Sequence, residues 1–166
     1  VRPVPRVGGI GILLGLAIGA LQLIGRYPAV SYGILALAAC GLPAFASGLI
    51  EDLTKRVSPS VRLVATMSAA AIAFFFLHIA VVRISVPALD FLLSYAAVSF
   101  LVTVLAVAAL ANAINIIDGF NGLASMVALM MFASLAYVAF RLGDPIVLSA
   151  SLIMMGTMLG FFIWNF

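Results

Sequence analysis

Long apolar stretches alternate with short polar breaks along the whole chain. The breaks read GRYPAV, EDLTKRVSPSV, RISVPALD, DGFNG and RLGDP, and they carry most of the charge and proline. A membrane-spanning helix needs about 20 predominantly apolar residues, and its backbone groups must be satisfied within the helix. The pattern therefore predicts an all-α fold, a polytopic transmembrane helical bundle of about six spans: about 8–25, 31–50, 62–82, 95–114, 123–141 and 145–164.

The composition supports this class of protein. Of the 166 residues, 66% are hydrophobic and 8% are charged, and the mean hydropathy is +1.35. A soluble domain carries about 25% charged residues, so this chain cannot build a water-facing surface. The net charge of +3 is small and the basic residues form no stripe, which argues against a nucleic-acid partner. We expect a single transmembrane domain over residues 1–166, truncated at both ends, because the chain opens on Val1 and closes on Phe166 within an apolar run.

Six crossings would place segment 1–7, loop 51–61 and stretch 112–122 on one membrane face. That face would carry five basic residues: Arg2, Arg6, Lys55, Arg56 and Arg62. The other face would carry three: Arg26, Arg83 and Arg141. The positive-inside rule then assigns the first face to the cytoplasm, by a modest margin.

The stretch NAINIIDGFNGLAS, residues 112–125, carries three asparagines, one aspartate and two glycines between two long apolar runs. Asn112, Asn115 and Asp118 are spaced three residues apart, so a helix would carry them along one side near its cytoplasmic end. Ionisable groups at membrane depth are costly and usually face a cavity or the bundle interior. The alternative is a polar cap at the interface, which leaves the two asparagines one and two turns earlier unexplained.

Two acidic residues, Glu51 and Asp52, close the second predicted span. Carboxylates at a helix C-terminus oppose the helix dipole, so something must offset them. Lys55 and Arg56 could do so as a solvated salt-bridge patch. A divalent cation is the other reading, because Mg²⁺ favours one or two carboxylates together with substrate phosphates.

Arg6 and His78 each admit more than one interpretation. Arg6, in PVPRVGGIGI, is either a bidentate phosphate ligand or only a positive-inside anchor. His78, the single histidine, is expected deep in the third span with no acidic neighbour in sequence. We interpret it as a packed or interfacial residue and not as a catalytic one.

Three motifs occur in order between the apolar spans: PVPRVGGIGI, GLIEDLTKRVSPSVRL and NAINIIDGFNGLAS. Together they resemble the polyprenyl-phosphate N-acetylhexosamine-1-phosphate transferases, the glycosyltransferase family 4 group that includes the phospho-MurNAc-pentapeptide translocases. The resemblance covers essentially the whole chain. It implies Mg²⁺-dependent transfer (with Mn²⁺ as an alternative) of a sugar-1-phosphate from a UDP-sugar to undecaprenyl phosphate at the cytoplasmic face, with release of UMP. Such a step begins the synthesis of O-antigen, peptidoglycan or a related envelope glycan.

The resemblance also implies roles for individual residues. Asp52 and Asp118 are the expected catalytic residues, and Glu51 and Asp118 the expected metal ligands. Substrate would be bound by Arg6, Lys55, Asn112, Asn115 and Asn121. The chain departs from the family pattern at Glu51, where an aspartate is usual, and at Asn121, where a second aspartate often stands.

The resemblance further implies that a metal-binding aspartate and a histidine loop follow an Asn-Phe dipeptide like Asn165–Phe166, so we expect this fragment alone to be inactive. The expected partners are undecaprenyl phosphate, a UDP-N-acetylhexosamine and membrane lipid, with a homodimer as one open assembly. Both a one-step and a two-step covalent route fit the residue types. Two other functions stay open, an ion-coupled transporter and a non-catalytic remnant of the transferase.

Overall fold

The computed structural model describes residues 8–117 and 122–165, and within them the regular structure is helical, with no strand. The helices are α1 Gly8–Gln22, α2 Pro28–Cys40, α3 Leu42–Thr54, α4 Pro59–Leu77, α5 Pro87–Leu93, α6 Ala96–Ile117, α7 Leu123–Leu142 and α8 Pro145–Asn165. The all-α prediction is confirmed.

The helices support a multi-pass membrane protein. Among the described residues, four helices are long and apolar enough to cross a membrane: α4, α6, α7 and α8. The bent pair α2 and α3 makes a fifth crossing if it is counted as one span. Helix α1 is apolar but has 15 residues, fewer than a full crossing requires. The predicted number of about six is compatible with this result but slightly high.

The predicted span 31–50 is not one continuous helix. It breaks at Gly41, which lies between α2 and α3. Pro43 stands in the first turn of α3, where its missing N–H is tolerated. The same proline would clash with a carbonyl four residues earlier if the two helices ran on as one. The apolar pattern alone does not report this break.

The predicted span 62–82 is wrong at its carboxyl end. Helix α4 begins earlier, at Pro59, and ends at Leu77. His78 follows as the C-cap with φ of 54°, in the left-handed region. His78 is therefore exposed at a helix end and not deep within a span. The apolar residues 79–82 continue outside helical structure, and the short helix α5, which the sequence did not predict, follows at Pro87.

The chain divides into two compact units, residues 40–113 and residues 1–39 with 114–166. The expectation of a single domain stays a prediction. In the second of these units, α8 packs against α1 and α7. Glycines let α1 and α8 approach closely: an added Cβ would lie 2.3 Å from Thr157 Cγ2 at Gly15 and 2.7 Å from Ile153 Cγ2 at Gly19. Close backbone approach through small residues is how helices associate where lipid removes the hydrophobic driving force.

In the unit formed by residues 40–113, α3 packs against α4. Helices α4 and α6 meet through aromatic rings: the ring centroid of Phe100 lies 5.2 Å from that of Phe74 and 5.3 Å from that of Phe75. This unit carries the acidic pair of the second motif.

Candidate active site

The connection between α3 and α4 is a tight, locally determined turn. Lys55 ends α3 in the left-handed conformation, with φ of 56°, and its backbone N–H donates to the carbonyl of Glu51 at 2.8 Å. Ser58 then caps α4: its Oγ accepts a hydrogen bond from the N–H of Val61 at 3.4 Å, and Pro59 follows at the first helical position. A serine N-cap followed by proline is a strong helix-start signal. The turn therefore brings the last turn of α3 beside the first turn of α4.

Across this turn, Glu51 pairs with Arg62. An Nη1 N–H of Arg62 donates to Oε2 of Glu51, and both side chains are about one quarter exposed, 25% for Arg62 and 28% for Glu51. Lys55 and Arg56 are the partners that the sequence suggests for the acidic pair. Both are exposed, and neither forms an ion pair within the described residues. Arg62 is therefore the cation that pairs with Glu51.

Asp52 differs from its neighbour. Its side chain is partly exposed, and within the described part of the chain its carboxylate has neither a hydrogen bond nor an ion pair. A carboxylate without a partner has its full acceptor capacity available. Asp52 is thus the free acidic group of this corner, beside two free cations on the following turn.

Two asparagines of the third motif, Asn112 and Asn115, lie in the last two turns of α6. Asn112 and Asn115 are exposed, and their amides make no hydrogen bond within residues 8–117 and 122–165. Three other predicted site residues lie outside the described residues: Arg6, Asp118 and Asn121. Gly122, which follows them, has φ of 78° and begins α7 as its N-cap. A glycine suits that position because an L side chain would be strained there.

The residues present suit a metal that is shared with phosphate. In the described ranges, no group of three or more acidic, histidine or cysteine side chains comes together, so a cage made entirely of protein ligands is not seen there. Glu51 and Asp52 nevertheless place two carboxylates in the last turn of α3. Mg²⁺ is typically held by one or two carboxylates and completes its shell with water and substrate phosphates. The donor set therefore suits a divalent cation whose shell is completed by water or by phosphate oxygens.

Comparison with known proteins decides the family. A family model described as glycosyl transferase family 4 matches residues 34–166. The chain belongs to glycosyl transferase family 4.

Relatives of this family member carry names that describe closely related activities. It is 27% identical over 98% of its length to the probable undecaprenyl-phosphate N-acetylglucosaminyl 1-phosphate transferase of Bacillus subtilis strain 168, covering 44% of that protein. It is 29% identical over its full length to the decaprenyl-phosphate N-acetylglucosaminephosphotransferase of Mycobacterium tuberculosis H37Rv, covering 44%. It is also 28% identical over 97% of its length to the phospho-N-acetylmuramoyl-pentapeptide-transferase of Anoxybacillus flavithermus, covering 52%.

The chain thus spans about half the length of the relatives it matches. No solved structure gives a significant match. The family assignment confirms the resemblance that the three motifs carry.

Sequence reasoning missed the Arg62–Glu51 pair, although a signal for it existed. Glu51 stands in the last turn of α3 and Arg62 in the first turn of α4, so each charge opposes the dipole of its own helix. Two opposed charges that flank one short turn are natural partners. The pair could have been expected once both helix ends were known.

Proposed function

We propose that this family member takes part in the transfer of an N-acetylhexosamine-1-phosphate from a UDP-sugar to a polyprenyl phosphate such as undecaprenyl phosphate, with release of UMP. The family match over residues 34–166 carries this proposal, and the names of the relatives support the substrate classes. Transfer joins an oxygen of the lipid phosphate to the β-phosphorus of the UDP-sugar. The bridging P–O bond breaks, UMP leaves with the electron pair, and the sugar stays on the transferred phosphate. The product would begin a cell-envelope glycan.

In this proposal the chain contributes positioning and charge. Phosphoryl transfer relies mainly on those two effects. Asp52 orients or deprotonates the lipid phosphate, which suits its free carboxylate. Asp118 is the second catalytic carboxylate. Direct attack by the lipid phosphate and a two-step route through a covalent intermediate both fit these residues.

Substrate binding falls to the amides and to the free cations. Asn112, Asn115 and Asn121 would contact the nucleotide or orient its ligands. Lys55 and Arg6 would offset the charge of the phosphates. Both described asparagines have unused amide groups, and Lys55 is unpaired within the described ranges, so these side chains are available for such contacts.

We propose Mg²⁺, or Mn²⁺ in its place, as the cofactor. Glu51 and Asp118 would hold it. When bound, such a cation neutralises charge on the diphosphate. The two carboxylates in the last turn of α3 support this assignment.

The site is proposed to face the cytoplasm from the inner membrane. Two described spans, α4 and α6, separate the α3–α4 connection from the α6–α7 connection. Two crossings return the chain to the same membrane face, whether or not α1 crosses. Both polar stretches would then open into one compartment, and the basic residues of segments 1–7 and 51–62 favour the cytoplasm.

The orientation can be tested by labelling from outside the cell. With Cys40 replaced by alanine, Ser60→Cys and Ser85→Cys each introduce one exposed thiol, on the two sides of α4. A membrane-impermeant maleimide added to intact cells should label the Ser85 variant and spare the Ser60 variant. The reverse pattern would overturn the cytoplasmic assignment.

The activity is tested with the protein expressed from its own gene and purified in detergent. UMP release should require a UDP-N-acetylhexosamine, undecaprenyl phosphate and Mg²⁺ together. Asp52→Asn and Asp118→Asn should each nearly abolish it. A wild-type rate in either variant would remove that residue from the mechanism.

The family match does not favour the transporter alternative. Transporter sites usually lie near the bilayer midplane, on broken helices. The polar groups described here, Glu51, Asp52, Lys55 and Asn115, lie at or near helix ends instead. Ion-driven uptake of a solute by proteoliposomes, without UMP release, would favour transport.

A further inference from the structure

The Glu51–Arg62 pair joins two helices with a polarity that neither helix favours. A helix C-terminus carries partial negative charge and stabilises cations, whereas an N-terminus stabilises anions. Here the glutamate stands at the C-terminus of α3 and the arginine at the N-terminus of α4. The reversed pair, with arginine on α3 and glutamate on α4, would bridge the same turn and satisfy both dipoles. A pair that served only the fold would be better reversed.

The observed polarity does have one consequence that the reversed pair lacks. It keeps a carboxylate at position 51, directly before the free carboxylate of Asp52. Arg62 holds Oε2 of Glu51, and Oε1 has no partner within the described residues. Local rules that a chain breaks without gain in stability usually mark functional positions. The gain at this position is a free carboxylate oxygen in the same last turn of α3 as Asp52.

Glu51 needs such support more than an aspartate would. Its side chain is one methylene longer than that of aspartate and has one more rotatable bond. Without a partner, a glutamate side chain at a helix end would populate several rotamers, and its carboxylate would have no fixed position. A planar guanidinium that binds the carboxylate removes much of that freedom.

We propose that Arg62 is a positioning residue for the Glu51 carboxylate, and that the polarity of this pair serves a divalent cation and not the fold. This inference rests on the proposed function, because it takes the corner of α3 and α4 as part of the transferase site. Arg62 touches neither substrate nor cation in this role. It acts through Glu51, as partners of metal-ligating carboxylates commonly do.

Two opposing effects decide what removal of Arg62 should do. Loss of a nearby positive charge strengthens binding of a divalent cation, by about tenfold for charges about 6 Å apart in salt-free water and by about threefold once about 0.15 M salt screens them. Loss of a residue that orients a ligand weakens metal affinity by about 10–100-fold. The second effect is larger. We therefore expect Arg62→Gln to bind a divalent cation more weakly, although the site becomes more negative.

The first experiment measures Mn²⁺ binding by electron paramagnetic resonance on the purified full chain at about 0.15 M salt, with saturating UDP to supply the diphosphate and without lipid phosphate. Arg62→Gln should raise the dissociation constant at least threefold, and Arg62→Lys should restore it to within about threefold of wild type. Arg56→Gln is the matched control, because it removes the same charge from the same turn but breaks no pair. It should leave binding unchanged or slightly tighter. Equal or tighter binding in Arg62→Gln would overturn the inference.

A second variant tests the polarity itself. The exchange E51R/R62E keeps the pair, reverses it and removes the carboxylate from α3. Its unfolding temperature in metal-free detergent should equal or exceed that of wild type, whereas its Mn²⁺ affinity should fall at least tenfold. Undiminished Mn²⁺ affinity in the exchange would show that the pair is structural only.

These readouts separate the inference from the proposed function. If wild-type protein releases no UMP but the Mn²⁺ results follow this pattern, the positioning role stands and the transferase proposal falls. If UMP is released and the Mn²⁺ affinity is unchanged in both Arg62→Gln and E51R/R62E, the transferase proposal stands and the positioning role falls.

Discussion

The connections at the two ends of α4 differ in composition and in how their polar groups are used. At its start, the turn at residues 55–58 is short and charged, and it leaves Asp52, Lys55 and Arg56 without side-chain partners within the described ranges. At its end, the segment 78–86 is long and mostly apolar. There the backbone of Val81 is satisfied by α6: its N–H donates to Oγ1 of Thr103 at 2.9 Å, and its carbonyl accepts from Oγ of Ser99 at 2.9 Å.

Asp90 completes the contrast at the second end. Its Oδ1 accepts a hydrogen bond from the N–H of Ile84 at 2.7 Å, and its Oδ2 lies 3.9 Å from Nε of Arg83. Like Asp52, Asp90 is an acidic residue near a helix end, but it is committed to the local fold. Unused hydrogen-bonding capacity, and not the presence of charge, distinguishes the proposed catalytic end from the structural one.

The largest effect is expected at Asp52. Asp52→Asn should lower the rate of UMP release by about 10²–10⁴-fold, the range typical of a group that transfers or orients a proton. Its unfolding temperature should not change, because no fold contact is lost. Asp90→Asn is the matched control and should keep its rate, since an amide oxygen can still accept from Ile84. Equal losses of rate in the two variants would contradict the claim that Asp52 serves catalysis and Asp90 serves only the fold.

The next effect concerns stability at Thr103. Thr103 is buried, with 5% of its surface exposed. Its hydroxyl accepts a hydrogen bond from the N–H of Val81 and donates one to the carbonyl of Ser99 at 2.7 Å. Thr103→Val keeps the shape but leaves the N–H of Val81 without an acceptor, which costs about 1–3 kcal/mol. Thermal unfolding in detergent should show this loss, and Thr103→Ser should recover most of it. Unchanged stability in Thr103→Val would mean that segment 78–86 finds other partners.

A smaller effect is expected at the helix cap. The hydrogen bond from Val61 to Ser58 is long and exposed, so Ser58→Ala should destabilise the protein by about 0.5 kcal/mol, the lower end of the range for N-caps. Ser60→Ala, two residues on, removes an exposed hydroxyl that makes no hydrogen bond within the described residues. Its unfolding temperature should match wild type, and a larger loss there than at Ser58 would contradict the assigned cap.

The smallest effect is expected at Arg83. Its side chain is 77% exposed and lies 3.9 Å from Asp90, so the ion pair is screened by water. Arg83→Gln should change the unfolding free energy by less than about 0.5 kcal/mol. A loss above 1 kcal/mol would show that the charge, and not the backbone hydrogen bonds, holds the segment.

Much of this structure could be predicted because lipid imposes a simple rule. Long apolar runs such as 95–114 and 123–141 must form helices, and their polar boundaries mark helix ends to within a few residues. The family was readable because its motifs keep polar residues at fixed spacing within apolar sequence.

Predictions from the sequence failed where an apolar segment can adopt more than one backbone conformation. Residues 79–82 are apolar whether they extend a helix or run outside one. The hydroxyls of Ser99 and Thr103, 18 and 22 residues after Val81, form the hydrogen bonds that the backbone of Val81 needs outside a helix. At Pro43 the helix is interrupted although the sequence stays apolar on both sides. The Glu51–Arg62 pair depends on the turn geometry at Lys55, which the residue types do not specify.

One paired measurement tests the division between the two ends of α4 most directly. UMP release and unfolding temperature are measured on Asp52→Asn and Thr103→Val, each expressed from the complete gene and assayed below its unfolding temperature. We expect Asp52→Asn to lose release and keep its unfolding temperature, and Thr103→Val to lose unfolding temperature and keep release. If Asp52→Asn releases UMP at the wild-type rate, or if folded Thr103→Val does not release it, the assignment of chemistry to one end of α4 is wrong.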